Sequence, residues 1–188
     1  MNDIFNDINK QIMSLLLKNY RKIFIALDGR CSAGKTTLAL KLKEHWGCNI
    51  FHMDDFYLPM NQRTVQSMKK PGGHMDFIRL QKEVLLPLKE KGNAYYRKFD
   101  CKKQKYKESM QVNIKDVNLV EGAYSCHPDL QKFYDLKIFL DIEKEVQNER
   151  LLKRENNKVF EQFQKKWIPM EEEYFNTYCI EKQCDLHY

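Results

Sequence analysis

Gly29, Gly34, Lys35 and Thr36 fill the spacing G-x-x-x-x-G-K-[ST] within "DGRCSAGKTT" (28–37). Those residue types at that spacing hold the phosphates of a nucleotide. Glycines let the backbone approach an anion closely, and the amides of a following helix N-terminus point at it. Gly29, Ala33, Gly34, Lys35, Thr36 and Thr37 would form that cradle. Lys35 brings a compact positive charge to the β- and γ-phosphates, and the Thr36 hydroxyl is a ligand for Mg²⁺. Cys31 lies inside the loop, near a helix N-terminus and Lys35, where a thiol leans toward thiolate.

Three acids are spaced to act on a phosphate held there. Asp54 and Asp55 follow one apolar run in "HMDDFYLP", and Glu121 ends another, "VNLVEG" (117–122). If both runs are strands of a parallel sheet, their carboxyl ends share an edge with the loop. One acid can then accept a proton from an attacking hydroxyl while others hold Mg²⁺. The metal set is read as Thr36, Asp54 and Glu121. Arg150 and Arg154 in "QNERLLKRENNK" lie four apart on one helical face, and guanidinium forks suit phosphate oxygens. No N-K-x-D occurs, and no D-x-x-G follows "VNLV", which argues against a GTP switch.

The elements that must carry these groups show in the periodicity. Ile4, Ile8, Ile12, Leu15 and Leu16 share a face, so an N-terminal helix is expected within 1–20. "RKIFIAL" (21–27) has no polar face and reads as a strand buried on both sides. A helix over 34–46 and a strand over 49–53 follow, then a loop over 59–75. A helix is expected over 76–92, starting at Asp76 and bent or broken by Pro87. Residues 94–99 and 109–114 pair as a β-hairpin (94–114) with a basic tip. Strands over 117–122, 136–141 and 184–188 complete a sheet, with helices to about 154 and over 157–176. Trp167 and Phe175 are expected to pack the last of these on the sheet without chemistry. This alternation gives an α/β, P-loop NTPase three-layer fold, with a mostly parallel five-stranded sheet and a hairpin insertion. Residues 1–188 read as one domain, with a lid region at about 143–160.

With 188 residues and 43% hydrophobic residues the chain can bury one sizeable core. Its apolar runs are too short for a membrane helix and its start is polar, so cytoplasmic residence is expected. The formal charge of +6 suits handling of phosphates and gives no ground for nucleic acid as a partner. Six cysteines without a CxxC pair suggest neither a disulfide framework nor a zinc site.

"GRCSAGKTT", "HMDDFYLP", "PGGHMDF", "KFD", "LVEGAYS" and "YDLKIFLDI", in this order, resemble the uridine kinase and phosphoribulokinase branch of P-loop kinases. Within it they look like the short bacterial uridine kinase-like proteins. The resemblance covers about residues 21–188 and implies phosphorylation of a small-molecule hydroxyl by ATP with Mg²⁺. The acceptor it implies is the 5′-hydroxyl of uridine or cytidine. It implies that Asp54 is the catalytic base and that Lys35, Arg150 and Arg154 stabilise the transferring group. It gives Asp76 the ribose hydroxyls and Phe99 the nucleobase side; Tyr57, next to the acids, can line the nucleobase pocket. It gives Glu121 a role with Thr36 around Mg²⁺. Gln104 stands about where these kinases often carry a His. Other acceptors stay open, such as nicotinamide riboside or pantothenate, as does an NTP-binding regulatory protein with little turnover. The N-terminal helix either packs on its own domain or mediates a homo-oligomer.

Overall fold

The computed structural model describes residues 2–19 and 22–188. Five strands form one sheet in the order β2-β5-β1-β6-β7, with every pairing parallel. They are β1 (Ile23–Gly29), β2 (Asn49–His52), β5 (Val117–Glu121), β6 (Leu136–Leu140) and β7 (Leu186–His187). The antiparallel hairpin β3 (Asn93–Asp100) and β4 (Lys105–Asn113) stands apart from it.

Every residue of β1 is buried, because helices cover both faces of the sheet. Ile23, Ile25 and Leu27 point to one face, where they meet Leu38 and Leu42 of α2 (Lys35–Trp46) and Ile8 and Ile12 of α1 (Asn2–Asn19). Phe24 and Ala26 point to the other, toward Leu80, Val84, Leu88, Tyr174 and Phe175. Alternation along the strand thus feeds two cores, which is why β1 reads as uniformly apolar. α1 packs on α2, where Trp46 Nε1 donates to Asn9 Oδ1 at 2.8 Å. The described part of the N-terminal helix therefore packs on its own chain.

The segment after β2 is more ordered than the loop expected there. It contains the short turns Met53–Phe56 and Met60–Gln62 and α3 (Val65–Met68). Pro87, expected to bend or break its helix, is accommodated, and so is Pro169. α4 (Phe77–Leu80) continues through one wide turn (Gln81–Leu85) into α5 (Leu86–Lys91), and Pro87 sits just beyond that turn. Downstream, α6 (Pro128–Gln131) and α7 (Lys144–Arg154) precede α8 (Asn157–Gln162). α8 continues through a second wide turn (Phe163–Trp167) into α9 (Ile168–Thr177), which carries Pro169 near its start; α10 (Ile180–Gln183) follows. Proline lacks an N–H and its ring crowds the carbonyl four residues back; i→i+5 turns relieve both constraints without ending the helix.

Register brings the chemical groups together. Glu121, the last residue of β5, lies opposite Leu27 of β1 and opposite His52 of β2. The phosphate loop, Glu121 and the Asp54 turn therefore leave the sheet at one edge.

Candidate active site

A Cβ on Gly29 would lie 2.0 Å from the Leu140 carbonyl oxygen, so only glycine lets β1 turn into the loop against β6. Gly29 and Ala33 serve the loop from within. Lys35 Nζ donates to the Gly29 and Arg30 carbonyls at 2.6 and 2.8 Å, and Ala33 N donates to Arg30 O at 3.2 Å. Gly34, Lys35, Thr36 and Thr37 line a cavity of about 800 Å³. First-turn amides of α2 have no intrahelical acceptor and are available to an anion.

Two helices hold the loop from outside. Buried Asp28 accepts from Gly29 N (2.7 Å), Cys126 N (2.8 Å) and the Tyr174 hydroxyl (2.8 Å). Glu171 accepts from Cys31 N at 3.0 Å, and Arg30 pairs with Glu172 at 2.7 Å. These three partners come from α9, which was read from sequence as packing alone. Burial pushes the Glu171 carboxyl up to about 7. From α7, Gln147 donates to Cys31 O at 3.1 Å and Arg150 to Ser32 O at 3.0 Å. Arg150 and Arg154 both line the cavity, and Arg154 pairs with Glu155 through its Nε at 2.7 Å. Cys31 departs from expectation: burial, with the Glu171 charge beside it, pushes its thiol up to about 12, away from thiolate. Desolvation here outweighs the nearby Lys35.

Asp54 lines the cavity and is exposed to it. Desolvation by the surrounding protein, together with the Glu121 charge, raises its carboxyl above the ordinary range, while the Tyr57 hydroxyl and Lys35 act to lower it. Tyr57 donates to Asp54 Oδ1 at 3.3 Å. Thr36 Oγ1 lies 3.4 and 3.3 Å from the two Glu121 oxygens, and His52 Nδ1 lies 2.5 Å from Oε1. Asp55 does not join them; it pairs with Lys98 of the hairpin at 2.9 Å.

Tyr57 and His74 are brought to the cavity by a short antiparallel pairing. Leu58 N donates to His74 O at 2.9 Å and Asp76 N to Phe56 O at 2.7 Å. Two residues that the resemblance gives to the acceptor are not among those lining the cavity. Asp76 caps α4 through Arg79 N at 3.0 Å and binds Arg79 Nε at 3.1 Å. Arg79 in turn holds the carbonyls of Arg97 and Asp55 at 2.6 and 2.9 Å, so Asp76 works in a buried clamp outside the cavity lining. Phe99 is 5% exposed and packs edge-on against Tyr106 inside the hairpin. The hairpin instead contributes Cys101 and Gln104 at its tip.

A sequence model of the phosphoribulokinase / uridine kinase family matches residues 24–159. The chain belongs to that family. The family is one of ATP-dependent kinases, and this chain is a phosphotransferase of that kind. A possible uridine kinase from Bacillus stearothermophilus has a similar fold, with a TM-score of 0.68 at 18% identity over 97% of this chain and 99% of that one. A putative fructose transport system kinase from Silicibacter gives 0.63 at 21% identity over 89% and 90%. A D-glycerate 3-kinase from Cryptococcus neoformans gives 0.65 at 15% identity over 90% and 87%. At these identities the likeness is one of fold.

The family uses ATP, typically with Mg²⁺, and the donor set fits both. Hydroxyl and carboxylate oxygens of Thr36 and Glu121 sit together beside the loop. The Ser32 hydroxyl in the loop is buried with no partner among the described residues. Mg²⁺ at phosphate sites takes one or two protein oxygens and completes its shell with phosphate and water.

Several groups at the site were given no role from sequence. Glu171 sits in the unremarkable run "MEEEY", and Arg63, His74, Tyr124 and Trp167 occur singly. The prolines were the nearest thing to a clue: the wide turn before Pro169 places Phe163, Lys166 and Trp167 on the cavity. Such turns concentrate at functional sites.

Proposed function

We propose that this kinase transfers the γ-phosphoryl group of ATP to a hydroxyl of a small alcohol by in-line displacement, with Asp54 as general base. The carrying observation is that the Asp54 carboxyl, hydrogen-bonded to Tyr57 at 3.3 Å, shares one cavity with the phosphate loop. The acceptor oxygen forms the new P–O bond as the bond to ADP breaks, and its proton passes to Asp54. The amides of Gly34, Lys35, Thr36 and Thr37 orient the phosphates. Lys35 exchanges its loop carbonyls for phosphate oxygens, and Arg150 and Arg154 offset charge on the transferring group. Thr36 and Glu121, with Asp54, would hold Mg²⁺, which would supply charge neutralisation for the transferring phosphoryl group. A cytoplasmic setting accords with six free thiols and with the absence, among the described residues, of a helix long and apolar enough to cross a membrane.

Of the acceptors the resemblance leaves open, a pyrimidine nucleoside would rely on the aromatic walls Tyr57, Tyr124 and Trp167, and another small alcohol with an anionic group on the cations Arg63 and Lys166 of the same end. The test is acceptor-stimulated ADP release from Mg-ATP by the wild type and by Asp54→Asn. The reading expects a loss of ~10²–10⁴-fold in turnover with ATP binding retained. Equal turnover in the two proteins would overturn the role of Asp54, and no acceptor-dependent turnover in the wild type would favour a binding protein.

A further inference from the structure

The cavity has two ends with separate cations. At the phosphate loop the Cys31 thiol feels Lys35 and Arg154. At the far end the imidazole of His74 feels Arg63 and Lys166. Asp54 lies between, under the field of Lys35 and bonded to Tyr57 of the far end. The loop-end cations have a task in binding ATP. The far-end cations have none in the reaction as derived so far.

Arg63 and Lys166 have no carboxylate partner among the described residues. Arg63 spends only its Nε on the protein, donating to Leu58 O at 2.9 Å, while its guanidinium lies 5.9 Å from the Tyr57 ring centre. Lys166 Nζ lies 4.8 Å from the Trp167 ring centre. His74, 1% exposed, has the Tyr57, Tyr124 and Trp167 rings at 5.6, 4.9 and 6.0 Å, and so neighbours the rings that Arg63 and Lys166 approach. Both His74 ring nitrogens and the Tyr124 hydroxyl are buried without a hydrogen-bond partner. Burial and the two cations push the imidazole down to about 4, so it is neutral at physiological pH and offers one donor and one acceptor. Tyr124 is also held at φ 73, a left-handed conformation that an L-residue adopts at a cost.

Buried polar groups normally have partners, and partnerless ones lining a cavity mark what a ligand supplies. Asp54 is felt at Tyr57, and Glu171, Asp28 and Glu173 at Tyr124, yet none of these carboxylates pairs with Arg63 or Lys166 among the described residues. We infer that the acceptor alcohol carries an anionic oxygen group, carboxylate or phosphate, which Arg63 and Lys166 bind while His74 and Tyr124 hydrogen-bond its polar backbone. The inference rests on the phosphotransfer reading above and names its substrate class. A neutral nucleoside would leave both cations unmatched, and a site built for polar contacts rejects ligands that lack them.

Trp167 reports on this end directly. Trp46 lies between α1 and α2, away from the cavity, so Trp46→Phe leaves a single-tryptophan protein. With Mg-ADP saturating the phosphate loop, Trp167 fluorescence is titrated with D-glycerate against glycerol and with ribose 5-phosphate against ribose. The glycerate and ribose 5-phosphate arms separate carboxylate from phosphate. Saturable binding is expected for at least one anionic member and not for its neutral partner. Arg63→Gln and Lys166→Gln should each weaken it by about tenfold or more. Lys166 is exposed, so that variant keeps its fold even if Arg63→Gln does not. Equal binding of the neutral partners, no binding of either anion, or indifference to both substitutions overturns the inference and leaves phosphotransfer standing. Failure of Mg-ADP itself to bind would overturn both readings.

Discussion

Glu171→Gln tests the hold of α9 on the phosphate loop. The carboxyl lies almost fully buried against Cys31 N, 3.0 Å away, and burial raises it from 4.5 to about 7. Between those values the folded protein binds more protons at this position than the unfolded chain does. The group's contribution to stability is therefore intact below pH 4.5 and is lost as pH rises through 7. Linkage puts the loss between pH 5 and 8 at about 2.5 kcal/mol. Glutamine keeps a carbonyl oxygen to accept from Cys31 N and removes the titration. Urea unfolding at pH 5, 6, 7 and 8 should show the variant gaining on the wild type by about that amount across the series. Subtracting one protein from the other cancels the remaining titrating groups. A stability gap that does not change with pH would show that Glu171 is ordinarily ionised, and the account of its environment would be wrong.

Other outcomes follow from the same reasoning. Tyr174→Phe removes one of three donors to buried Asp28 and should cost about 2 kcal/mol. That corresponds to a Tm lower by about 4–8 °C in calorimetry, and an unchanged Tm would mean that Asp28 does not depend on Tyr174. Burial pushes His74 and His127 down to about 4, so both rings should stay neutral at pH 6 in NMR titration. Since unfolded histidines bind protons first, these two groups favour folding above pH 6.5 and weaken it as pH falls toward 4; midpoints near 6.5 would contradict this. Iodoacetamide at pH 8 should modify the exposed Cys101 and Cys179 well before Cys31, whose thiol is pushed up to about 12. Mass mapping that finds Cys31 first would restore the thiolate expected from sequence.

Local pattern carried most of the fold. The phosphate loop, the buried strands and the carboxyl-end acids follow from short windows in which spacing and periodicity suffice. Glu121 could be placed beside the loop because parallel register aligns strand ends. What failed depended on distant partners. Asp55 and Asp54 are neighbours in sequence, yet only Lys98 on the hairpin decides that Asp55 turns away. Asp76 is engaged by Arg79, whose other bonds reach Arg97 and Asp55. Cys31 has a loop and helix N-terminus that favour thiolate, but burial against α7 and α9 reverses the direction. The far end of the cavity was not assembled from sequence because Arg63, His74, Tyr124 and Trp167 come from four separate segments.

The most direct test of the central claim is transfer of label from [γ-³²P]ATP, with Mg²⁺, to a mixture of nucleosides, sugars, sugar phosphates and hydroxy acids. Wild type should place label in an organic phosphate, and Asp54→Asn, with nucleotide still bound, should reduce that product by ~10²–10⁴-fold. Label appearing only as inorganic phosphate, or equal product from both proteins, would contradict a phosphotransferase that uses Asp54 as its base.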